Sequence, residues 1–315
     1  MKRLIGLFKK KVASSLLLLV GAAAGGLAQA DTTYTYTYDY SLSVNGCSGW
    51  NNSCGLSGSQ TGSTESPASA PVDPNKPALS ISATATGWAN TGGNSNAINA
   101  QAAVAPNNQT LQQGHLQAWS GGIGVRNKDY YITTDDQNSS GGYLNHDRSE
   151  WESPEHAVDN NERYDSILYA FDQSLSLTAV NLTWSSGDSD LSVLAYTGDT
   201  SAIGFNIDNS LLNLRYDQLT SSGWTFISHL TLGGHNKTLS TGVSSSYWLI
   251  GAANPLVGGT GLDSNLDHIK IASLSGKITT EYTQKDNPPS GVPEPGSLAL
   301  LGLGWLLLLR ARAKS

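Results

Sequence analysis

The chain has 315 residues, with 18 Lys+Arg against 25 Asp+Glu and only 14% charged residues, below the roughly 25% of an average soluble protein. With 34 Gly, 8 Trp and 13 Tyr, it is too polar for a multi-span membrane protein and too aromatic for a disordered one. No basic stripe is present to neutralise phosphates, which argues against a nucleic-acid partner. The charge is unevenly distributed. Segments 1–30 and 292–315 together hold eight basic residues and one acid, which leaves 10 basic and 24 acidic residues in 31–291.

Residues 1–30 have the layout of a signal peptide. Lys2, Arg3, Lys9, Lys10 and Lys11 lead into an apolar run from Val12 to about Leu27, and Ala28-Gln29-Ala30 has the small-x-small cleavage pattern. Signal peptidase is expected to cut before Asp31. The run is short, and its second half is rich in Ala and Gly, which disfavours a permanent anchor.

The exported body, 31–290, reads as one β-rich domain. From 33 to 44, Tyr34, Tyr36, Tyr38, Tyr40, Leu42 and Val44 alternate with Thr, Asp and Ser, the period of a half-buried strand. Segment 45–77 is rich in Ser, Gly and Pro and reads as a long surface loop without a core of its own. It contains Cys47 and Cys54, the only cysteines. In an exported chain they read as a disulfide, worth about 2.5 kcal/mol on the chain-entropy model. A metal pair is the weaker reading, because no further ligand lies nearby in the sequence.

Alternation resumes with Leu79, Ile81, Ala83 and Ala85 facing inward, followed by weaker apolar segments at 116–125 and 130–133. Denser strand signals occupy 167–171, 175–184, 191–196, 224–232, 247–252 and 269–282, and 208–219 suggests a short helix. Within 175–184 the apolar parity switches between Ala179 and Val180, which predicts a bulge or a strand buried on both faces. Short strands punctuated by Gly, Ser and Asp predict an all-β fold: an antiparallel β-sandwich, jelly-roll-like in its finer form.

The most acidic stretch is 145–171, with seven acids between Asp147 and Asp165. Three readings stand side by side. The acids are solvated or bond turn backbone; or some of them, with a carbonyl, hold Ca²⁺; or two, such as Glu152 and Glu155, form a glycosidase acid/base pair. Trp151, Asp159, Asn160 and Asp165 form the candidate ligand or calcium site. Asp188-Ser-Asp190 and Asp263-Ser-Asn265-Leu-Asp267 begin like calcium loops, but neither has the Gly or the closing Glu of such a loop, and turn chemistry explains them equally well. Trp119, Trp151, Trp184, Trp224 and Trp248 could stack on sugars; Trp184, Trp224 and Trp248 lie in strand segments and read as core, and Trp151, within the acidic stretch, is the best candidate for exposure. The six histidines lack metal-ligand spacing, and Gly-x-Ser-x-Gly is absent. No catalytic residue or obligate cofactor is assigned, and the chain reads as a non-enzyme.

At the C-terminus, Val292-Pro293-Glu294-Pro295 precedes a 14-residue apolar run, Gly296 to Leu309, and then Arg310, Arg312 and Lys314. As a helix the run spans about 21 Å against a hydrocarbon core of about 30 Å, which predicts transient anchoring by 296–309 with the basic end cytoplasmic. This three-part segment, 291–315, resembles the PEP-CTERM sorting signal of Gram-negative bacteria. The resemblance implies recognition by exosortase, a membrane-embedded cysteine transpeptidase-like enzyme. It also implies cleavage near Pro293-Glu294-Pro295, an inner-membrane intermediate, and delivery to the cell surface or extracellular matrix. An ordinary tail anchor is the alternative.

Four further segments, Pro154–Asn160, Tyr164–Leu168, Trp184–Gly198 and Ser246–Gly251, resemble a family of exosortase-dependent surface proteins across roughly 120–275. That resemblance implies a surface or matrix role and carries over no catalytic residue. The order of an Asp-Asn loop before paired strands is also similar to galactose-binding-like jelly rolls, a likeness of fold only. The expectation is therefore an exported structural or interaction protein associated with exopolysaccharide or biofilm. A carbohydrate-binding module, calcium-assisted or not, is the alternative, and an extracellular glycosidase the remote one.

Overall fold

The computed structural model describes residues 31–47, 49, 51–92, 109–127, 156–161, 163–231, 234–285, 302–307, 310 and 312. Its strands are β1 (Thr32–Asn45), β2 (Cys54–Ser66), β3 (Ser80–Gly92), β4 (Thr110–Gln113), β5 (His115–Trp119), β6 (Gly122–Arg126) and β7 (Val158–Asp159). They continue as β8 (Asp165–Gly187), β9 (Leu191–Tyr196), β10 (Trp224–Leu230), β11 (Asn236–Thr238), β12 (Ser245–Ala252) and β13 (Asp267–Gln284). The fold is all-β and the strand pairs are antiparallel. The hydrogen-bonded order is β10-β9-β12-β8-β3-β2-β1-β13-β6-β5, and β8 also pairs with β13. The segments predicted at 167–171 and 175–184 are one continuous strand, β8. Residues 208–219 form no α-helix. Instead two short 3₁₀ helices, Ile207–Ser210 and Tyr216–Ser221, cover the two ends of that span and pack Ile207, Tyr216 and Leu219 against Trp88, Leu168, Trp224 and Leu249.

Contacts divide the chain into Thr35–Glu281 and a smaller unit made of 1–34 and 282–315. Within the smaller unit the Tyr34 and Tyr282 rings stack with centroids 6.5 Å apart, the Thr33 and Thr283 hydroxyls lie 3.0 Å apart, and 302–307 are helical.

The parity switch in β8 is a bulge. Leu175 and Leu177 are buried, and after the switch Val180 and Leu182 are buried. Opposite them β13 pairs Gly276 with Leu177 and Ser275 with Ala179, so Thr178 has no cross-strand partner there. One extra residue moves the apolar set to the other pleat parity without ending the strand.

The reading of 45–77 as one long loop is corrected. Cys54–Ser66 is a full strand with β1 on one side and β3 on the other. Only Cys54 and Leu56 supply buried apolar side chains, so composition hides the strand; pairing on both sides satisfies its backbone instead. Gly58 shows why small residues are needed, because a Cβ there would meet the Ser41 carbonyl oxygen at 2.1 Å. Leu79, expected inward, is exposed one residue before β3, although its carbonyl accepts from the Gln60 N–H of β2 at 2.8 Å. Cys47 and Cys54 are disulfide-bonded, with Cα atoms 5.0 Å apart.

The remaining loop, 67–78, is held by the inward tyrosines of β1. Tyr36 Oη donates to the Pro71 carbonyl, Tyr38 Oη to Asp73 Oδ2 and Tyr40 Oη to the Ala78 carbonyl, each at 2.7 Å. Asp73 also accepts from Thr280 Oγ1 at 2.6 Å and from the Asn75 N–H at 2.7 Å. Burial pushes the Asp73 carboxyl up, but the bonds from Thr280, Tyr38 and Asn75 outweigh it and hold the carboxyl below its ordinary value. Asp73→Ala is expected to destabilise the fold by about 2–3 kcal/mol, since charge-assisted bonds are lost and buried donors stranded. Because the folded-state pKa is depressed, this contribution is present above about pH 4 and is lost as pH falls through the folded value. Urea unfolding of wild type and variant at neutral and acid pH measures both effects.

Candidate cation site

β8 ends at Gly187, where the chain must turn against β13. Gly187 has φ 71°, and a Cβ there would lie 2.5 Å from the Leu266 carbonyl oxygen, so both the conformation and the close approach require glycine. Register then places Asp267, the first residue of β13, opposite Gly187 and in a bridge with Asp188. The Asp188 N–H donates to the Leu266 carbonyl at 3.0 Å. Two residues later the Asp190 N–H donates to Asp267 Oδ1 at 2.7 Å as the chain enters β9.

Asn160, just after β7, fixes Asp267 from the other side. Its Oδ1 accepts from the Asp267 N–H and its Nδ2 donates to Asp267 Oδ2, both at 2.8 Å. The same Nδ2 lies 3.2 Å from the Ala253 carbonyl, and the Asn160 N–H reaches the Asp267 carbonyl at 3.3 Å. The backbone of Asn160 thus carries the β7–β13 pairing one residue further, while its side chain holds the Asp267 N–H and carboxylate.

The outcome is a compact group of three carboxylates. Oxygens of Asp188, Asp190 and Asp267 lie within 4.8 Å of one another, and no other group of three His, Cys, Asp or Glu with this spacing occurs among the described residues. Asp190 is 4% exposed and Asp267 1%. Asp190 Oδ1 is buried and accepts no hydrogen bond. Burial, aided by the Asp190 and Asp188 charges, pushes the Asp267 carboxyl up to about 7 against the bonds from the Asp190 N–H and Asn160. The Asp190 carboxyl is also pushed up, first by burial and then by Asp188 and Asp263, while Lys237 draws it down in part. Three acids therefore face one partially compensating lysine, an arrangement suited to a hard cation. Beside the group an open depression of about 680 Å³ is lined by Ser186, Gly187, Asp188, Asn265, Leu266 and His268.

The residues predicted as a ligand site separate. Asn160 joins the acidic group through Asp267. Asp159 is buried in β7 opposite His268, where its Oδ1 accepts from the Asn161 N–H at 3.1 Å. Asp165 is buried at the start of β8, where its Oδ1 accepts from Asn127 Nδ2 at 3.4 Å. Trp151, Glu152 and Glu155 lie outside the described residues, as do Ala28, Ala30 and Val292-Pro293-Glu294-Pro295. Asp31 is exposed, and Arg310 and Arg312 are helical and exposed. Among the described residues no helix is long and apolar enough to cross a membrane.

The aromatic candidates also change roles. Trp224 and Trp248 are core, as their strands predict. Trp184, expected in the core, is only half-buried, and Lys270 Nζ lies 4.8 Å from its ring and 4.9 Å from that of Trp119. Trp119 packs on His156 as well, with ring centroids 4.4 Å apart. These faces are already occupied by side chains.

The Asp188–Asp190 and Asp263–Asp267 motifs were each ambiguous in sequence. Their shared alternation of oxygen-bearing residues was the available signal, but Asp190 and Asp267 stand 77 residues apart, and only strand register unites them. Asn160→Ala is expected to lower stability by about 2–3 kcal/mol, because it strands the Asp267 N–H and one carboxylate oxygen in a buried setting. The shift of the denaturant midpoint measures it. No protein family, curated protein or solved structure matches this chain.

Proposed function

We propose that this chain is an exported cell-surface or extracellular-matrix protein of structural or interaction type, sorted by exosortase and associated with exopolysaccharide or biofilm. The observation that carries the reading is the C-terminal order of Val292-Pro293-Glu294-Pro295, apolar run and basic end, paired with the N-terminal export signal. The position of the last strand supports it. β13 ends at Gln284, so the motif at 292–295 follows the last strand in sequence. In this reading 296–309 anchors the chain transiently at the inner membrane of a Gram-negative cell, signal peptidase acts before Asp31, and the chain itself catalyses nothing. The finer architecture we assign is a jelly-roll-like sandwich, in which β8 passes from one set of neighbours to another at its bulge.

Replacing Pro293-Glu294-Pro295 by three alanines is expected to leave the tail attached and the protein in the inner-membrane fraction. Unchanged processing and surface delivery on cell fractionation would sink the sorting assignment.

One observation favours a second reading, a calcium-assisted carbohydrate-binding module: the polar depression that Asp188 shares with Ser186, Asn265 and His268. Hydroxyl-rich ligands suit such a lining. Glycan-array binding that disappears with chelator is the expected result, and failure to bind any glycan with or without chelator removes this reading.

A further inference from the structure

We propose that Asp188, Asp190 and Asp267 bind one Ca²⁺ ion, which clamps the β8–β9 turn to the first residue of β13. The assignment is independent of how the protein is sorted and of whether it binds sugar.

The geometry supplies the first argument. Three carboxylates from two distant segments place oxygens within 4.8 Å of one another, a spacing one cation can bridge at ordinary Ca–O distances of about 2.3–2.6 Å. The second argument is independent of that clustering. Asp190 is 4% exposed, and its Oδ1 is buried with no hydrogen-bond partner. A buried polar atom left without a partner costs free energy, and a cation between the three carboxylates would satisfy it.

The hydrogen bonds around the group leave room for metal coordination. Asp267 accepts one bond at Oδ1 from the Asp190 N–H and one at Oδ2 from Asn160 Nδ2. A carboxylate oxygen has two lone-pair sites, so each retains one for a metal. Asp188 accepts from the Ser189 N–H at Oδ1, which sets that side chain in the same way. Asn160 acts as a positioning residue: it orients Asp267 without being needed as a ligand.

The chemistry of the donors selects the ion. All three are carboxylates, with no imidazole or thiolate in the group, which disfavours zinc and copper. Asp188 is half-exposed and faces the open depression, so water can complete the shell. An irregular, hydrated set of this kind suits the flexible coordination of calcium better than the strict octahedron of magnesium. Affinity on the order of 10⁻⁴–10⁻³ M, as in extracellular calcium modules, is expected.

The test uses the full chain in detergent, stripped with chelator and titrated with CaCl₂ by calorimetry and thermal unfolding. Calcium at roughly ten to a hundred times the dissociation constant should raise the melting temperature by about 3–10 °C. Asp190→Asn should abolish that response. Asp188→Asn is the safer variant, since its side chain is half-exposed. It should fold, match or exceed wild-type stability in chelator through relief of like charge, and bind calcium at least about tenfold more weakly. Asp39→Asn, an exposed acid of β1, should leave the response intact. No calcium response in wild type, or an undiminished one in Asp188→Asn, would overturn the site. An equal rise with Mg²⁺ would overturn the choice of ion.

Discussion

The bulge at Thr178 is the constraint on which the other elements depend. Up to Leu175, β8 pairs with β3 and β12; from Ser176 it pairs with β13 across the bulge, and beyond the bulge with β11 as well. A strand that kept one parity for 23 residues would turn one of its two apolar sets toward solvent. The extra residue lets both sets be buried on one continuous backbone. It also permits pairing to close a ring through β8, β3, β2, β1 and β13, so the centre of the network has no open edge to protect.

The carboxylate group follows from the same arrangement. β13 runs antiparallel to the second half of β8, so the end of one strand lies beside the beginning of the other. Loop residues that leave the two strands are thereby brought together, although they are far apart in the chain. Gly187 allows the tight exit, and Asn160, the residue after β7, holds the Asp267 N–H and carboxylate. The acids are held at ladder ends rather than within one loop, so strand pairing sets their relative positions.

Much of this was legible where a residue's role is local. Alternating tyrosines announced β1, the parity change at Ala179–Val180 announced the bulge, and Trp224 and Trp248 announced core strands. What escaped depended on partners. β2 carries too few apolar side chains to register as structure, because its order comes from backbone pairing to β1 and β3. The acidic site escaped for a related reason: neither half is a complete calcium loop, and the second half lies on another strand. Conversely, the density of acids in 145–165 drew attention to Asp159 and Asp165, which the fold buries apart from the carboxylate group, whereas Asn160, the uncharged member, is the one that reaches it.

The phenolic clasp on 67–78 has a thermal consequence. That segment is fastened by hydrogen bonds from Tyr36, Tyr38 and Tyr40, while its one aliphatic valine, Val72, stays in water. Apolar burial weakens as temperature drops, because its driving force near 25 °C is largely entropic. The hydrogen bonds themselves do not draw on that entropic term, although the three rings that make them are buried apolar surface. The attachment of 67–78 therefore depends less on the contribution that fades in the cold than that of a loop held by aliphatic side chains.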